Sequence, residues 1–558
     1  MEKRIRSAVE KALQEAGTGP VSFAVEWPAD PSHGDYATNI AMVAAKGLGK
    51  NPRALADELA PLIKKELGAY VSHVTVAGPG FINLTLARAV ITDALVKAKG
   101  EEWGRSDENS GRRVMIEYSN PNPFKEMHIG HLMSNVVGES ISRLIEASGA
   151  HVLRDTFGGD VGPHVAKALW ALKRKNITDI ANVQEIGQAY IQGSNAYEES
   201  EEAKQEIEEL NTKIYDIVGK QEDPTALTPD DRALLDLWRK GREVSMEEFA
   251  RIFKTLGTKF DYIFYDSDTT APGMRVVNDA LTRGIFELSD GAVIYRGENK
   301  GLHILVFITS RGTPTYETKD IGLAFLKEER VATDEIIILT GVEQVGHFKV
   351  VLAALEEIAP LIAKKMAHVA HGLLQLTTGK MSSRKGNIIT GAGLINEMLE
   401  KAQEKNEDPL VAEQVAIGAI KYMILRQAAG ANIIFDAEKS LSLDGDSGPY
   451  LQYAYVRAKS VLAKEREGSE EAVPEEPYLL ERLLIRFPEV VAHAVEHRAP
   501  HTVAQYLTEL AGEWNSFYAK ERIIGGDYEG YKLAVASAFA TTMHNGLTLL
   551  GIPVPERM

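Results

Sequence analysis

Two histidines, His128 and His131, stand in the run KEMHIGHLMSN (residues 125–135), with Gly130 between them and Lys125 just upstream. Imidazoles at that spacing suit three chemistries: packing on one helix face, metal ligation, or hydrogen-bond donation to a phosphoryl group. A zinc site needs a third and fourth N, O or S ligand, and the neighbouring sequence offers no obvious set. The phosphate reading draws on position. RRVMIEYS (112–119) is a strand pattern, and residues 130–148 follow as a helical one, with Leu132, Val136, Val137, Ile141, Leu144 and Ile145 on one stripe. The carboxyl end of a strand, where a helix begins, is where open α/β sheets bind ligands. Glycine there lets a ligand approach the backbone, and the helix N-terminus favours an anion. Histidines at such a place can donate to phosphoryl oxygens as charge shifts in nucleotidyl transfer.

A second segment bears on the choice. TTGKMSSRKGN (377–387) sets Lys380, Ser382, Ser383, Arg384 and Lys385 on a Gly-flanked loop. It is not a Walker A loop, which needs glycine where Leu374 stands and Ser or Thr where Met381 stands. Taken alone, an exposed basic turn describes it as well.

The elements around these segments alternate. After HVLRDTF (151–157), a second strand, comes GGDVG, so the region opens as a strand–helix–strand unit of a doubly wound parallel sheet. Residues 166–260 read as helical and charged, like an insertion; strands resume at 292–308, and DEIIILTG (334–341) follows another helix. After about residue 395 only helical patterns appear, which predicts an all-α bundle. Residues 1–67 read as mainly helical, broken at 27–39, and VTVAGPGFINLTLA (74–87) as strand–turn–strand. The expected architecture is therefore multidomain α/β: a small α+β domain (1–108), a Rossmann-type catalytic domain (109–395, insertion about 175–290), and an all-helical domain (396–558).

Composition excludes several classes. The chain has 558 residues, too many for one core, and no cysteine, so disulfides, Cys-ligated zinc and thiol catalysis are out. No apolar run of about 18 residues marks a membrane span, and the charged N-terminal MEKRIRSAVEKALQEAG lacks the apolar core of a secretory signal; a cytoplasmic location is expected. The net charge of -17 argues against non-specific nucleic-acid binding without excluding a local basic face. Much of the acidity lies in 197–210, read as a solvated helix face, and 465–477, read as a linker.

HIGH (128–131) and KMSSR (380–384), in that order on an α/β framework, resemble the two signatures of class I aminoacyl-tRNA synthetases. IEYSNPNPFKEMHIGH, TYETKDIG, LTGVEQVGHFK, GPYLQYAYVRAKS, HGDYATNIAMVAAKGLGKNPRALADEL and GPGFINLTL resemble the arginyl-tRNA synthetases, and the likeness is weakest in the insertion. The resemblance implies ATP-dependent attachment of L-arginine to tRNA(Arg) through an arginyl-adenylate, with Mg²⁺ accompanying ATP, no zinc, and a monomeric enzyme with no membrane partner. Glu117, Tyr316 and Asp320 would line the guanidinium pocket, and Asn122 and Gln344 would hold the amino and carboxylate end of arginine. His128 and His131 would contact ATP phosphates, Gly130 would make room for adenine, and Gly341 would lie near the ribose. Lys380, Ser382, Ser383 and Lys385 would belong to the ATP loop. Ser383 stands where the common loop has lysine, and Lys125 is the expected replacement cation. A second departure is FGGDVGPH (157–164), where many relatives carry Gly-Asp-Trp-Gly.

The residue types suit such a pocket, because a guanidinium is planar, always charged and has five donors. Tyr316 and Asp320 are four apart and share a helix face; a structural salt bridge remains the plain alternative for Glu117 or Asp320. For tRNA, the resemblance implies an elbow contact at Phe81 and Asn83, which alternate on one side of a strand, with burial in the core as the alternative for Phe81. It places the anticodon on the helical domain, where Tyr450, Tyr453 and Arg457 share one face and Trp514 and Tyr518 another. An aromatic core stripe is the competing reading for both.

Overall fold

The computed structural model describes residues 1–17, 19–221, 225, 227–376, 390–464 and 472–558. Its centre is a five-stranded, wholly parallel sheet. In spatial order the strands are Met366–His371, Glu335–Gly341, Arg113–Glu117, His151–Gly158 and Tyr262–Tyr265. In chain order this is the doubly wound arrangement, whose strand order reverses between Arg113–Glu117 and Glu335–Gly341. Val114, Met115, Ile116 and Ile336–Leu339 are buried, as expected of strands covered on both faces.

The helix Ile129–Ala147 lies on this sheet. It was expected to bury one stripe, but Ser134, Asn135, Glu139, Ser140 and Ser142 are buried as well. The reason is a second neighbour: its other side packs against helices of the C-terminal bundle. The strand Tyr262–Tyr265 corrects the insertion expected over 175–290, because it completes the central sheet. The helical part proper comprises Val183–Glu199, Glu201–Gly219 and Pro229–Thr255, packed with Pro163–Arg174 around Leu169, Ile214 and Trp238. A separate antiparallel sheet, Glu287–Ser289, Ala292–Tyr295 and Leu305–Ile308, accounts for the strands expected near 292–308.

At the N-terminus, Phe81–Leu86 is an inner strand of a four-stranded antiparallel sheet, backed by the helices Glu2–Glu15, Ile40–Leu48 and Pro52–Leu67. The turn-rich break at 27–39 contains one of its strands, Tyr36–Thr38. This domain docks on the C-terminal bundle: Tyr36 Oη donates to Glu489 at 2.9 Å, and Arg88 pairs with the buried Glu481 at 2.8 Å. The bundle is built from Pro409–Leu425, Gly448–Leu462, Leu479–Leu484, Phe487–His497, Pro500–Lys520 and Glu529–Leu549. The all-helical expectation for 396–558 needs one correction: Ile433–Phe435 is a short strand, parallel to Leu374–Leu376, so the two segments supply each other's backbone partners. Most of the acidic linker expected at 465–477 lies outside the described residues.

Candidate active site

Glu117 and Gly341 end the two strands that flank the sheet's switch point. Beyond Glu117 the chain enters SNPNPFK, where Ser119, Asn120 and Phe124 take positive φ (75°, 46° and 66°). A left-handed non-glycine residue costs roughly 1–2 kcal/mol, so side chains must hold this turn. Asn120 Nδ2 donates to Glu117 Oε1 (2.8 Å), while Asn120 Oδ1 accepts from Phe157 N and Asn122 Oδ1 from Gly159 N, both at 2.9 Å. Asn122 thus ties the loop to FGGDVGPH. There Asp160 is buried and accepts from Ser267 N (2.9 Å), Ser267 Oγ (2.7 Å) and Arg242 (3.0 Å).

His128 is the N-cap of the helix that follows. Its Nδ1 accepts from Gly130 N (3.1 Å), and His131 Nδ1 accepts from His128 N (3.3 Å), a reciprocal capping box with the rings stacked 3.7 Å apart. Burial, and then the nearby Lys125 ammonium, push His128 down to about 4. Burial and the neighbouring His128 hold His131 well below the usual imidazole range. Both rings are therefore neutral near pH 7. A ring nitrogen that accepts a hydrogen bond carries no proton, so each proton sits on Nε2. The motif thus offers two Nε2–H donors beside the dipole of a helix N-terminus. Gly130 has a local reason of its own: a Cβ there would lie 2.8–2.9 Å from the His128 ring and dislodge the cap.

The chain at Thr390–Gly391 lies beside the first signature. Thr390 forms an antiparallel bridge with His128, and Gly391 N donates to Met127 O at 2.6 Å. Lys380, Ser382, Ser383 and Lys385 lie outside the described residues.

Glu117 and Asp320 line one small cavity, with Leu323, Ile338 and Phe348. Asp320 comes from the helix Tyr316–Arg330. Its Oδ2 meets His347 Nε2 at 2.5 Å, and His347 Nδ1 lies 3.4 Å from Glu317. Burial disfavours a charged His347, but the hydrogen bonds and charges of Asp320 and Glu317 outweigh it and raise the imidazole to about 10. Burial also raises Asp320, against the pull of His347. Glu117 is 2% exposed, and its Oε2 takes an ammonium hydrogen bond from Lys327 (2.5 Å). Lys327 also pairs with Asp155 (2.7 Å). The structural salt bridge left open for Glu117 is thus present, at the floor of the cavity it shares with Asp320. Tyr316, expected in the same pocket, is 61% exposed in the first turn of its helix and does not line this cavity. Gln344 is exposed just past Gly341. Reading the sequence missed His347 and Lys327. Lys327 had a usable signal, since 316, 320, 323 and 327 follow one helix face, but spacing alone does not mark a lysine as buried.

The expected tRNA-contacting residues divide. Ile82, Leu84 and Leu86 face the N-terminal core, so Phe81 and Asn83 point the other way. Phe81 is half-buried; Asn83 is 6% exposed, a short side chain flanked by Ala37 and Thr75 on an inner strand. In the bundle, Arg457 donates to Asn515 Oδ1 and Tyr453 Oη, both at 3.0 Å, and Asn515 Nδ2 donates to Tyr450 Oη at 3.0 Å. Tyr518, 43% exposed, stands 5.3 Å from the Arg457 guanidinium. These form one partly open aromatic–cationic patch. Trp514 is not part of it: the ring is fully buried and stacked on Phe539 at 4.6 Å, so it has no free face for a base.

Nearly the whole chain matches known families. Residues 3–86 match the model for the arginyl tRNA synthetase N-terminal domain, residues 91–437 that for the catalytic domain of tRNA synthetases class I (R), and residues 451–558 that for the DALR anticodon-binding domain. The chain belongs to the class I arginyl-tRNA synthetases. This synthetase is 30% identical to the arginine–tRNA ligase of Treponema pallidum, covering 98% of this chain and 97% of that one. It is 28% identical to that of Clostridium perfringens, over 100% and 99%. Its fold superposes on the Thermus thermophilus arginyl-tRNA synthetase with a TM-score of 0.81 and 26% identity, over the full length of both chains. The synthetase binds ATP, arginine and tRNA, and charges the tRNA with arginine. No helix among the described residues is long and apolar enough to cross a membrane.

Proposed function

We propose that this synthetase works in two steps at the switch point. The arginine carboxylate attacks the α-phosphate of ATP, pyrophosphate leaves, and the terminal ribose hydroxyl of tRNA(Arg) then takes the arginyl group from the adenylate. No covalent enzyme intermediate is required. Catalysis is positioning plus stabilisation of phosphoryl charge. The neutral His128 and His131 donate from Nε2 to phosphate oxygens, with Lys125 and the loop residues Lys380, Ser382, Ser383 and Lys385 as further contacts; Gly130 and Gly341 border adenine and ribose. Asp320, with one oxygen on His347, offers the other to the guanidinium, over a floor charged by Glu117, with Tyr316 at the rim. Asn122 and Gln344 hold the backbone end of the substrate. The Asp320 oxygen left without a donor by a shorter or differently shaped side chain costs roughly 1–3 kcal/mol, which disfavours lysine without an editing domain.

Among the described residues no cluster of three or more His, Asp or Glu is arranged to hold a metal ion. Mg²⁺ would accompany ATP as the Mg–ATP complex. Phe81 and Asn83 face the tRNA elbow, and Tyr450, Tyr453 and Arg457 the anticodon. The enzyme acts as a monomer, and the role in translation places it in the cytoplasm, away from membranes. The pair of Nε2–H donors at a helix N-terminus carries this reading. ATP–pyrophosphate exchange with each amino acid, with and without tRNA, tests it. Exchange is expected with arginine alone among the amino acids, and to need tRNA; its absence with arginine plus tRNA(Arg) overturns the reading.

A further inference from the structure

The helices inserted between the second and third strands of the central sheet have no part in the chemistry above, yet they hold the residue just before the first signature. Phe124 is fully buried in their core, with its backbone N–H donated to Ser245 Oγ at 3.0 Å. Its ring lies against Gly241, where any Cβ would collide with it. One residue on, Lys125 Nζ stands 4.7 Å from the ring centroid of Tyr190, on Val183–Glu199. Tyr190 itself packs on the insertion core. Gly187, one turn earlier on the same helix face, leaves space for Glu126, whose carboxylate would lie 3.0 Å from a Cβ at that position. Among the described residues no carboxylate forms an ion pair with Lys125.

That combination has a physical consequence. A carboxylate would place the ammonium but cancel its charge. An aromatic face places it through a quadrupole and leaves the full charge available to an anion. We propose that the helical insertion is a seat for Lys125, and that Tyr190 is a positioning residue that aims the lysine ammonium at the ATP phosphates. This rests on the reading of Lys125 as a phosphate contact. Lys125 lies in a turn three residues before His128, so its backbone is placed by that turn. The left-handed Phe124 (φ 66°), pinned by Ser245 and Gly241, fixes where the lysine backbone starts; Tyr190 fixes where its charge ends.

The test is a double-mutant cycle read by ATP–pyrophosphate exchange with saturating tRNA(Arg). Tyr190→Leu keeps the apolar packing and removes the π face. A cation–π contact of ordinary strength predicts a kcat about 3–30-fold lower, with the arginine KM within about twofold. Tyr190→Phe, which keeps the ring, recovers most of the loss, and Tyr190→Met repeats the leucine result if leucine packs poorly. In a Lys125→Ala background, Tyr190→Leu adds less than about twofold, since its partner is gone. Equal damage by Tyr190→Leu with and without Lys125, or no damage by Leu and Met in the native background, overturns the proposal. If Lys125→Ala is impaired, such a result leaves the phosphate reading of Lys125 standing. If Lys125→Ala exchanges at the native rate, that reading falls, and the proposal with it.

Discussion

Replacing His347 by glutamine removes one charge beside Asp320 and nothing else of similar size. His347 and Asp320 each keep 15% of their side-chain surface exposed. The rise of the imidazole from 6.5 to about 10, at about 1.36 kcal/mol per pKa unit, sets a ceiling of about 5 kcal/mol on what the charged ring contributes to stability. The upward shift of Asp320 returns part of that, and the partial exposure screens some of the rest. A loss of about 2–4 kcal/mol at pH 7 remains, or roughly 5–15 °C in the melting of a domain this size. The sign of the pH dependence follows from the direction of the shift. The folded-state value lies above the unfolded one, so the stabilisation is complete below 6.5 and disappears as pH rises through about 10. Thermal unfolding of the wild type and His347→Gln across that range is the assay. The gap in melting temperature should be widest at the acidic end, still large near neutrality, and closed at the alkaline end. A gap that ignores pH, or one under about 0.5 kcal/mol at pH 7, would mean that His347 is not the charged partner of Asp320.

Asp320→Ala should raise the arginine KM or lower kcat/KM at least about 100-fold in steady-state exchange; an effect under about threefold removes Asp320 from the pocket. Lys327→Met leaves Glu117 and Asp155 buried without their cation and should cost about 3–5 kcal/mol in thermal unfolding, less at acidic pH where the carboxyls protonate. Adding Glu117→Gln and Asp155→Asn should restore most of that stability without restoring arginine activation. Gly130→Ala pushes a methyl into the His128 ring, so exchange should fall at least about tenfold while the melting temperature changes little; an active variant would refute the capping role. Trp514→Ala should destabilise by about 3–5 kcal/mol, whereas Arg457→Ala should raise the tRNA KM about tenfold with melting nearly unchanged, a contrast that filter binding and thermal unfolding separate.

The order of domains was legible because each class of element writes its own period. The strands at the switch point, Arg113–Glu117 and Glu335–Gly341, are short apolar runs, the helices carry stripes, and Gly130, flanked by His128 and His131, marks where one gives way to the other. Where the expectation failed, a neighbour had intervened. The strand Ile433–Phe435 is too short to stand out from helical surroundings and exists because Leu374–Leu376 pairs with it. Tyr262–Tyr265, in the stretch assigned to the insertion, becomes a sheet strand through His151–Gly158. The stripe predicted for Ile129–Ala147 became burial on nearly every side, since the bundle covers the face that a lone domain would leave wet.

The same division runs through the site. Local spacing set the chemistry that depends on neighbours in the chain: the His128–His131 capping box, the helix N-terminus under it, the shared face of Asp320 and Lys327, and with them the membership of the family. Spacing says which residues share a face. It is silent on what packs against that face, and there the tertiary structure decided. It turned Trp514 inward onto Phe539, set His347 on Asp320 and Lys327 under Glu117, and brought Tyr190 from a distant helix beneath Lys125. A buried charge or a ring face is defined by its partner, and in this chain those partners lie far away in sequence.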